Sequence, residues 1–97
     1  MKLVIVRAAL DELQDAAAYY AATANVELAL AFVAEFERAA RTIFANPSIA
    51  AWFRGTRRRY FLRRFPYSII YYPAADEIRV VAVAHQRRRP GYWRGRK

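Results

Sequence analysis

Apolar and polar positions alternate along the chain in a way that predicts one strand followed by two helices in its N-terminal half. Residues 2–7 are rich in β-branched side chains and flanked by charge, which indicates a short strand. From about Ala8 the apolar residues recur at steps of three and four, with Asp11, Glu12 and Asp15 on the opposite side of the predicted helix. A second stripe of this kind ends at Asn46-Pro47, because the residue before a proline is driven out of the helical region.

The C-terminal half has the period of two that is typical of strands. Residues 60–62 predict a strand that closes at Phe65-Pro66, and residues 67–72 predict the next, with Tyr67 and Ser68 on opposite faces. Residues 73–76 supply a turn, since proline cannot donate to a strand ladder. Residues 78–84 have a β-branched centre and predict a central strand.

These elements predict a single α+β domain over residues 1–97, in the order β-α-α-β-β-β. The two helices form a hairpin whose apolar stripes need a common surface, and a small, mainly antiparallel sheet offers it. Phe32 and Phe36 lie on the stripe of the second helix, and core packing explains them better than a binding role. Helices on one face leave the other face of the sheet open.

Charge is divided unevenly along the chain. Residues 1–50 carry four basic and six acidic side chains, a net −2, whereas residues 51–97 carry thirteen and two, a net +11, which makes the +9 of the whole chain. This asymmetry indicates an anionic partner such as nucleic acid, an acidic protein or a membrane surface. The alternative is charge that serves solubility only, which does not require the two signs to separate along the chain.

The absence of cysteine excludes disulfides and thiolate metal sites and fits a reducing compartment. No apolar run approaches the length of a membrane span, and residues 3–6 are too short for the apolar region of a signal peptide. We therefore expect a cytoplasmic protein with no membrane partner and no bound metal or other cofactor.

The predicted hairpin of the last two strands has arginines crowded at its ends and would form the floor of a cationic surface. Three arginines in a row at residues 57–59 alternate faces, so at most two point the same way. Tyr92 and Trp93 either stack on a partner or pin the tail over the sheet. The residues predicted to bind the target are Arg58, Arg59, Arg64, Arg87, Arg88, Arg89, Tyr92 and Trp93.

Few side chains are suited to acid–base chemistry. Guanidinium groups stay protonated at physiological pH, and Lys97 is the only lysine of the C-terminal half. His85 and Tyr92 are the plausible proton carriers, although a lone histidine at a strand end is more often a structural hydrogen-bonding group. If the protein is a nuclease, the predicted catalytic residues are His85, Tyr92, Arg64 and Arg87. No second histidine exists to share a metal with His85.

Five sequence features in this order carry a resemblance to a known family. They are Tyr19-Tyr20, the helix ending at Asn46-Pro47, Arg-Phe-Pro-Tyr-Ser-Ile-Ile-Tyr at residues 64–71, Ile-Arg-Val-Val-Ala-Val-Ala-His at residues 78–85, and Arg-Arg-Pro-Gly-Tyr-Trp at residues 88–93. Over essentially its whole length the chain resembles the RelE/ParE superfamily of toxins from bacterial type II toxin–antitoxin operons. The resemblance implies a growth-inhibiting toxin that a cognate acidic antitoxin neutralises.

The superfamily has two branches, and Ser68 bears on the choice between them. RelE-like members cleave mRNA on the ribosome without a metal, whereas ParE-like members act on DNA gyrase and are not known as nucleases. RelE-like nucleases tend to carry arginine directly after the first tyrosine of the central strand, where this chain has Ser68. The loss of that cation favours the ParE-like branch, with gyrase as the target. The alternative is a metal-independent, ribosome-dependent endoribonuclease, in which neighbouring arginines compensate.

Overall fold

Two helices pack against one face of a five-stranded sheet in the computed structural model, which describes residues 1–97. The elements are β1 (Lys2–Ile5), α1 (Arg7–Thr23), α2 (Val26–Ala45), β2 (Ala51–Trp52), β3 (Arg58–Phe61), β4 (Tyr67–Ala74) and β5 (Glu77–His85). The strands lie in the order β1-β5-β4-β3-β2. The α+β class and the predicted order of helices and main strands are confirmed.

The sheet is mainly antiparallel, as predicted, and β1 is its exception. β1 pairs in parallel with β5, so that Leu3 lies opposite Ile78, and the helical hairpin makes the crossover between the two edges of the sheet. β3, β4 and β5 form an antiparallel meander. A register shift between Ile70 and Tyr71 leaves Val81 as an extra residue on β5, which increases local twist.

The main core lies between the helices and the sheet. Phe32 and Phe36 of α2 are buried, which confirms their predicted role, and Ile69 and Tyr71 of β4 meet them from the sheet. The helices are joined at Asn25, whose side chain accepts a hydrogen bond from the backbone N–H of Leu28 and so caps α2. Neither helix is both long and apolar enough to cross a membrane.

The expectation of an open second face is wrong. Residues 86–97, here called the C-terminal segment, cross this face, and the Trp93 ring is only 3% exposed. It packs with Ile70, Val81 and Ala84, which form a second, smaller core together with Ala82. The physical reason is that β4 and β5 carry apolar side chains on both faces, and burying the second set removes them from water.

Two local expectations also differ from the structure. Residues 51–52 form the short edge strand β2 instead of a plain connection, and Trp52 is 61% exposed instead of packing on the core. β4 continues through Pro73, so the turn is confined to Ala75 and Asp76. The pairing of β3 with β4 ends at Tyr71, so Pro73 has no strand beside it on that side. Its lack of a backbone N–H therefore costs no hydrogen bond there.

Candidate functional site

Most of the predicted site residues meet beneath the C-terminal segment. They line a small cavity of about 40 Å³ between this segment and the sheet. Ser68 is 2% exposed and faces this cavity, away from Tyr67 and the helices, as the period of two predicts. The residues of the predicted set that line the cavity are Arg59, His85, Arg88, Arg89, Tyr92 and Trp93.

Three of the predicted arginines lie elsewhere. Arg58 points to the opposite side of β3, where its guanidinium stacks on Trp52 at 3.7 Å and donates to the carbonyl oxygen of Ala50. Arg64 lines a groove against α2. Arg87 is exposed and contributes its backbone N–H, instead of its side chain, to a contact with His85.

Two of the three arginines of the site, Arg59 and Arg88, are held by aromatic rings and not by carboxylates. Arg59 lies between Phe53, at 3.8 Å, and Phe61, at 4.6 Å from the ring centres, and Arg88 lies 3.9 Å above Tyr92. Such contacts orient a guanidinium and leave its charge uncompensated. These side chains therefore still attract an anion.

Carboxylates neutralise few of the arginines in the C-terminal half. The protein has four salt bridges, and two of them, Arg7 to Asp11 and Arg38 to Glu35, belong to the N-terminal half. The other two tie Arg79 to Glu77 and Arg96 to Glu12. The net positive charge of residues 51–97 is thus mostly presented to solvent.

His85 is held in one orientation. Its Nδ1 accepts a hydrogen bond of 3.0 Å from the backbone N–H of Arg87, and its ring meets Tyr67 edge to face at 5.0 Å. An acceptor Nδ1 is unprotonated, so in the neutral ring the proton is on Nε2. The structural role as a hydrogen-bonding group, which the sequence allowed, is therefore present.

Tyr92 is held as a hydrogen-bond donor. Its hydroxyl donates to Oε2 of Glu12 at 2.6 Å. Burial raises the pKa of Tyr92 well above its usual value, and the hydrogen bond to Glu12 and the charge of that carboxylate raise it further. General acid–base catalysis is most efficient when the pKa lies near the working pH, so this environment makes Tyr92 a weak proton carrier.

Trp93 serves to anchor the C-terminal segment. Its ring is buried and lies 6.0 Å from Phe53, centre to centre. Of the two roles that the sequence left open for it, the structure shows the ring pinning the tail. A buried indole offers no face to a partner while the segment is in place.

Glu12 is a residue of this site that the sequence did not indicate. Besides Tyr92, it accepts hydrogen bonds from the backbone N–H of Val83 at 3.0 Å and from Arg96 at 2.9 Å. One carboxylate thus joins α1, the part of β5 beyond β1, and the C-terminal segment. Its partners are 71 to 84 residues away in the chain, so no local pattern could have revealed it.

Comparisons with known proteins agree with the fold and extend it to a family. The family model described as the ParE toxin of the type II toxin–antitoxin system parDE matches residues 3–90. A solved chain of the chromosomal ParDE TA system from P. aeruginosa has a TM-score of 0.79 and 22% sequence identity, covering 88% of this chain and 95% of that one, a likeness that shows the fold alone. No curated protein matches the chain. Because the family model spans most of its length, the chain belongs to the ParE family of toxins of type II toxin–antitoxin systems.

Proposed function

We propose that this protein arrests growth by binding DNA gyrase, or gyrase on its DNA, and that it does so without cleaving RNA. The observation that carries the proposal is that a cationic surface occurs together with side chains that are poorly suited to general acid–base catalysis. Arginines stacked on aromatic rings supply positive charge. By contrast, the Tyr92 hydroxyl is occupied by Glu12, and Ser68 stands where RelE-like nucleases tend to carry arginine. Binding needs only the first of these features.

The competing function is ribosome-dependent mRNA cleavage through Arg64, His85, Arg87, Arg88 and Tyr92. One feature favours it: Nε2 of His85 is free, and His85 shares a groove of about 280 Å³ with Arg88 and Tyr92. RNA cleavage also needs cations against the charge that develops on the scissile phosphate. Of the three arginines in the candidate set, Arg88 alone shares the groove of His85, and Arg64 lies in a different one. This separation weighs against the nuclease.

Expression of the protein without its antitoxin tests the proposal. We expect growth arrest with DNA damage in a normal strain, no arrest in a strain with a resistant gyrase, and intact transcripts by primer extension. Arrest in both strains, with cleaved ribosome-bound transcripts, would show the nuclease instead. A decisive variant combines His85→Ala with Tyr92→Phe. We expect cells that express it still to be arrested with intact transcripts, whereas a nuclease changed in this way would lose its toxicity.

We propose further that a cytoplasmic acidic antitoxin neutralises the protein by adding a strand to β1 and covering the adjoining helices. β1 is an edge strand, so its outer N–H and C=O groups are free to pair with an extended peptide. An apolar groove of about 460 Å³ lies beside it, lined by Leu3, Ile5 and Val33 and rimmed by Glu37 and Arg41. A complex of the protein with the product of the adjacent reading frame, mapped by hydrogen exchange, should protect β1 and leave β2 unprotected.

A further inference from the structure

A second basic cavity lies outside the site described above. It has a volume of about 450 Å³ and opens between the β2–β3 loop and the end of the C-terminal segment. Its lining contains three arginines and no carboxylate: Arg54, Gly55, Thr56, Arg57, Trp93, Arg94 and Gly95. Two parts of the chain that are distant in sequence thus come together to place three guanidinium groups around one space.

Two of these guanidinium groups have no acceptor within the protein. Neither Arg54 nor Arg94 takes part in any of the four salt bridges, and no hydrogen bond from either side chain is formed. Both side chains lie beside Gly91, where an added Cβ would be 3.3 Å from Nη2 of Arg94 and 3.7 Å from Cδ of Arg54. The two side chains are therefore neighbours, and positive charge that is concentrated without a counterion attracts an anion.

Arg57, the third, is fixed in place. Its guanidinium stacks 4.0 Å above Tyr72, Nη2 donates to the carbonyl oxygen of Arg96 at 2.9 Å, and Nη1 donates to the hydroxyl of Thr56 at 3.2 Å. Its Nε is the single buried side-chain nitrogen or oxygen of the protein without a hydrogen-bond partner. The guanidinium is nevertheless held in one place by acceptors within the protein and contributes a fixed positive charge to the cavity.

The backbone around the cavity permits close approach. Gly55 and Gly95 have φ angles of +74° and +94°, and a Cβ at either position would meet nothing within 4 Å. A ligand oxygen can therefore reach the main chain here without displacing a side chain.

We propose that this cavity binds a backbone phosphate of DNA. Guanidinium groups pair with both carboxylates and phosphates, but a phosphate group offers more oxygens to three guanidinium groups than the two of a carboxylate. Trp93 lines both this cavity and the one that Arg59 lines, so the two cavities are adjacent, and Arg59 with the half-exposed Phe61 forms a line beside the first. That line suits a nucleic-acid strand, since cations bind its phosphates and an exposed aromatic ring stacks on its bases. The role of this contact in the cell rests on the proposed action at gyrase; the contact itself does not need gyrase.

The test is binding of the purified protein to a fluorescently labelled DNA duplex, measured by anisotropy over a series of salt concentrations. The variant Arg54→Gln, Arg94→Gln removes the two unpaired guanidinium groups. The matched control, Arg41→Gln, Arg63→Gln, removes two exposed arginines elsewhere and leaves the same net charge. We expect the first variant to lose about tenfold in affinity and to lower the salt slope by about one, and the control to stay close to the parent.

A loss of the same size in both variants would overturn the proposal, since it would show only a general attraction between charges. A second measurement does not depend on variants: the backbone amide signals of Gly55 and Gly95 should shift on titration with inorganic phosphate but not with chloride at equal ionic strength. Shifts at other residues alone, or a response to an acidic antitoxin peptide and not to DNA, would contradict it. Because the DNA-binding assay contains no gyrase, its failure would refute this inference and leave the proposed function standing.

Discussion

At the scale of single residues, the clearest roles belong to carboxylates that join elements of the fold, and not to side chains suited to acid–base catalysis. Glu12 accepts a hydrogen bond from the backbone N–H of Val83, in the part of β5 that lies beyond its pairing with β1. The same carboxylate accepts hydrogen bonds from the hydroxyl of Tyr92 and the guanidinium of Arg96. Glu35 plays a similar part at α2. A scarce acidic residue in a basic protein is thus placed where it joins elements.

Replacement of Glu12 by alanine should therefore destabilise the protein. The change leaves the Val83 N–H, the Tyr92 hydroxyl and Arg96 without their shared acceptor, and we expect a loss of about 2–3 kcal/mol in the free energy of unfolding in urea. Asp15→Ala is the control, because Asp15 is exposed on the same helix and makes no salt bridge. Equal effects of the two changes would contradict the role given to Glu12.

The stability of the protein should also depend on pH through Glu35. Two hydrogen bonds of 2.7 Å from Arg38 hold the pKa of Glu35 below its ordinary value; burial opposes this shift, and the backbone N–H of Arg63 adds to it. A pKa that is lower in the folded than in the unfolded chain stabilises the fold above the unfolded value of about 4.3, and this contribution is lost as the pH falls through the folded value.

We therefore expect Glu35→Gln to lower Tm at neutral pH, with a gap to the parent protein that narrows below about pH 4. The measurement is thermal unfolding followed by circular dichroism across that range. Glu37→Gln, an exposed neighbour on α2, should show a small effect at every pH. A gap for Glu35→Gln that stays constant down to pH 2 would refute this linkage.

At the scale of elements, the helices and the main strands could be predicted from periodicity, and the covering of the second sheet face could not. The apolar stripe through Phe32 and Phe36 predicts α2 because its positions recur at helical spacing within one continuous segment. By contrast, the packing of Trp93 onto Ile70 depends on the path of a tail with no period of its own. β2 was missed for a related reason: two residues at an edge form a strand only because β3 lies beside them.

Two tryptophans provide a direct test of the C-terminal segment. Trp93→Ala removes a ring that is 3% exposed and should lower the free energy of unfolding by about 3–5 kcal/mol. Trp52→Ala removes a ring that is 61% exposed and should change it by less than about 1 kcal/mol. Limited proteolysis should then cut the Trp93→Ala protein first within residues 86–97. If the two variants were equally stable, the segment would not be packed as described.

At the scale of the whole molecule, positive charge is gathered in residues 51–97 and is little compensated. Of the arginines in that half, two form salt bridges and several others stack on aromatic rings. The charge asymmetry could be read from the sequence, but its placement could not: Arg58 and Arg64 lie away from the cavity that Arg59 and Arg88 line. The faces to which these side chains point depend on pairing partners that only the fold supplies.

The measurement that tests the central claim most directly is the supercoiling of relaxed plasmid by purified gyrase in the presence of this protein. The account predicts that supercoiling stops and that broken plasmid, with gyrase attached, accumulates, while transcripts on translating ribosomes stay whole under the same conditions. Undisturbed gyrase together with cut transcripts would contradict it.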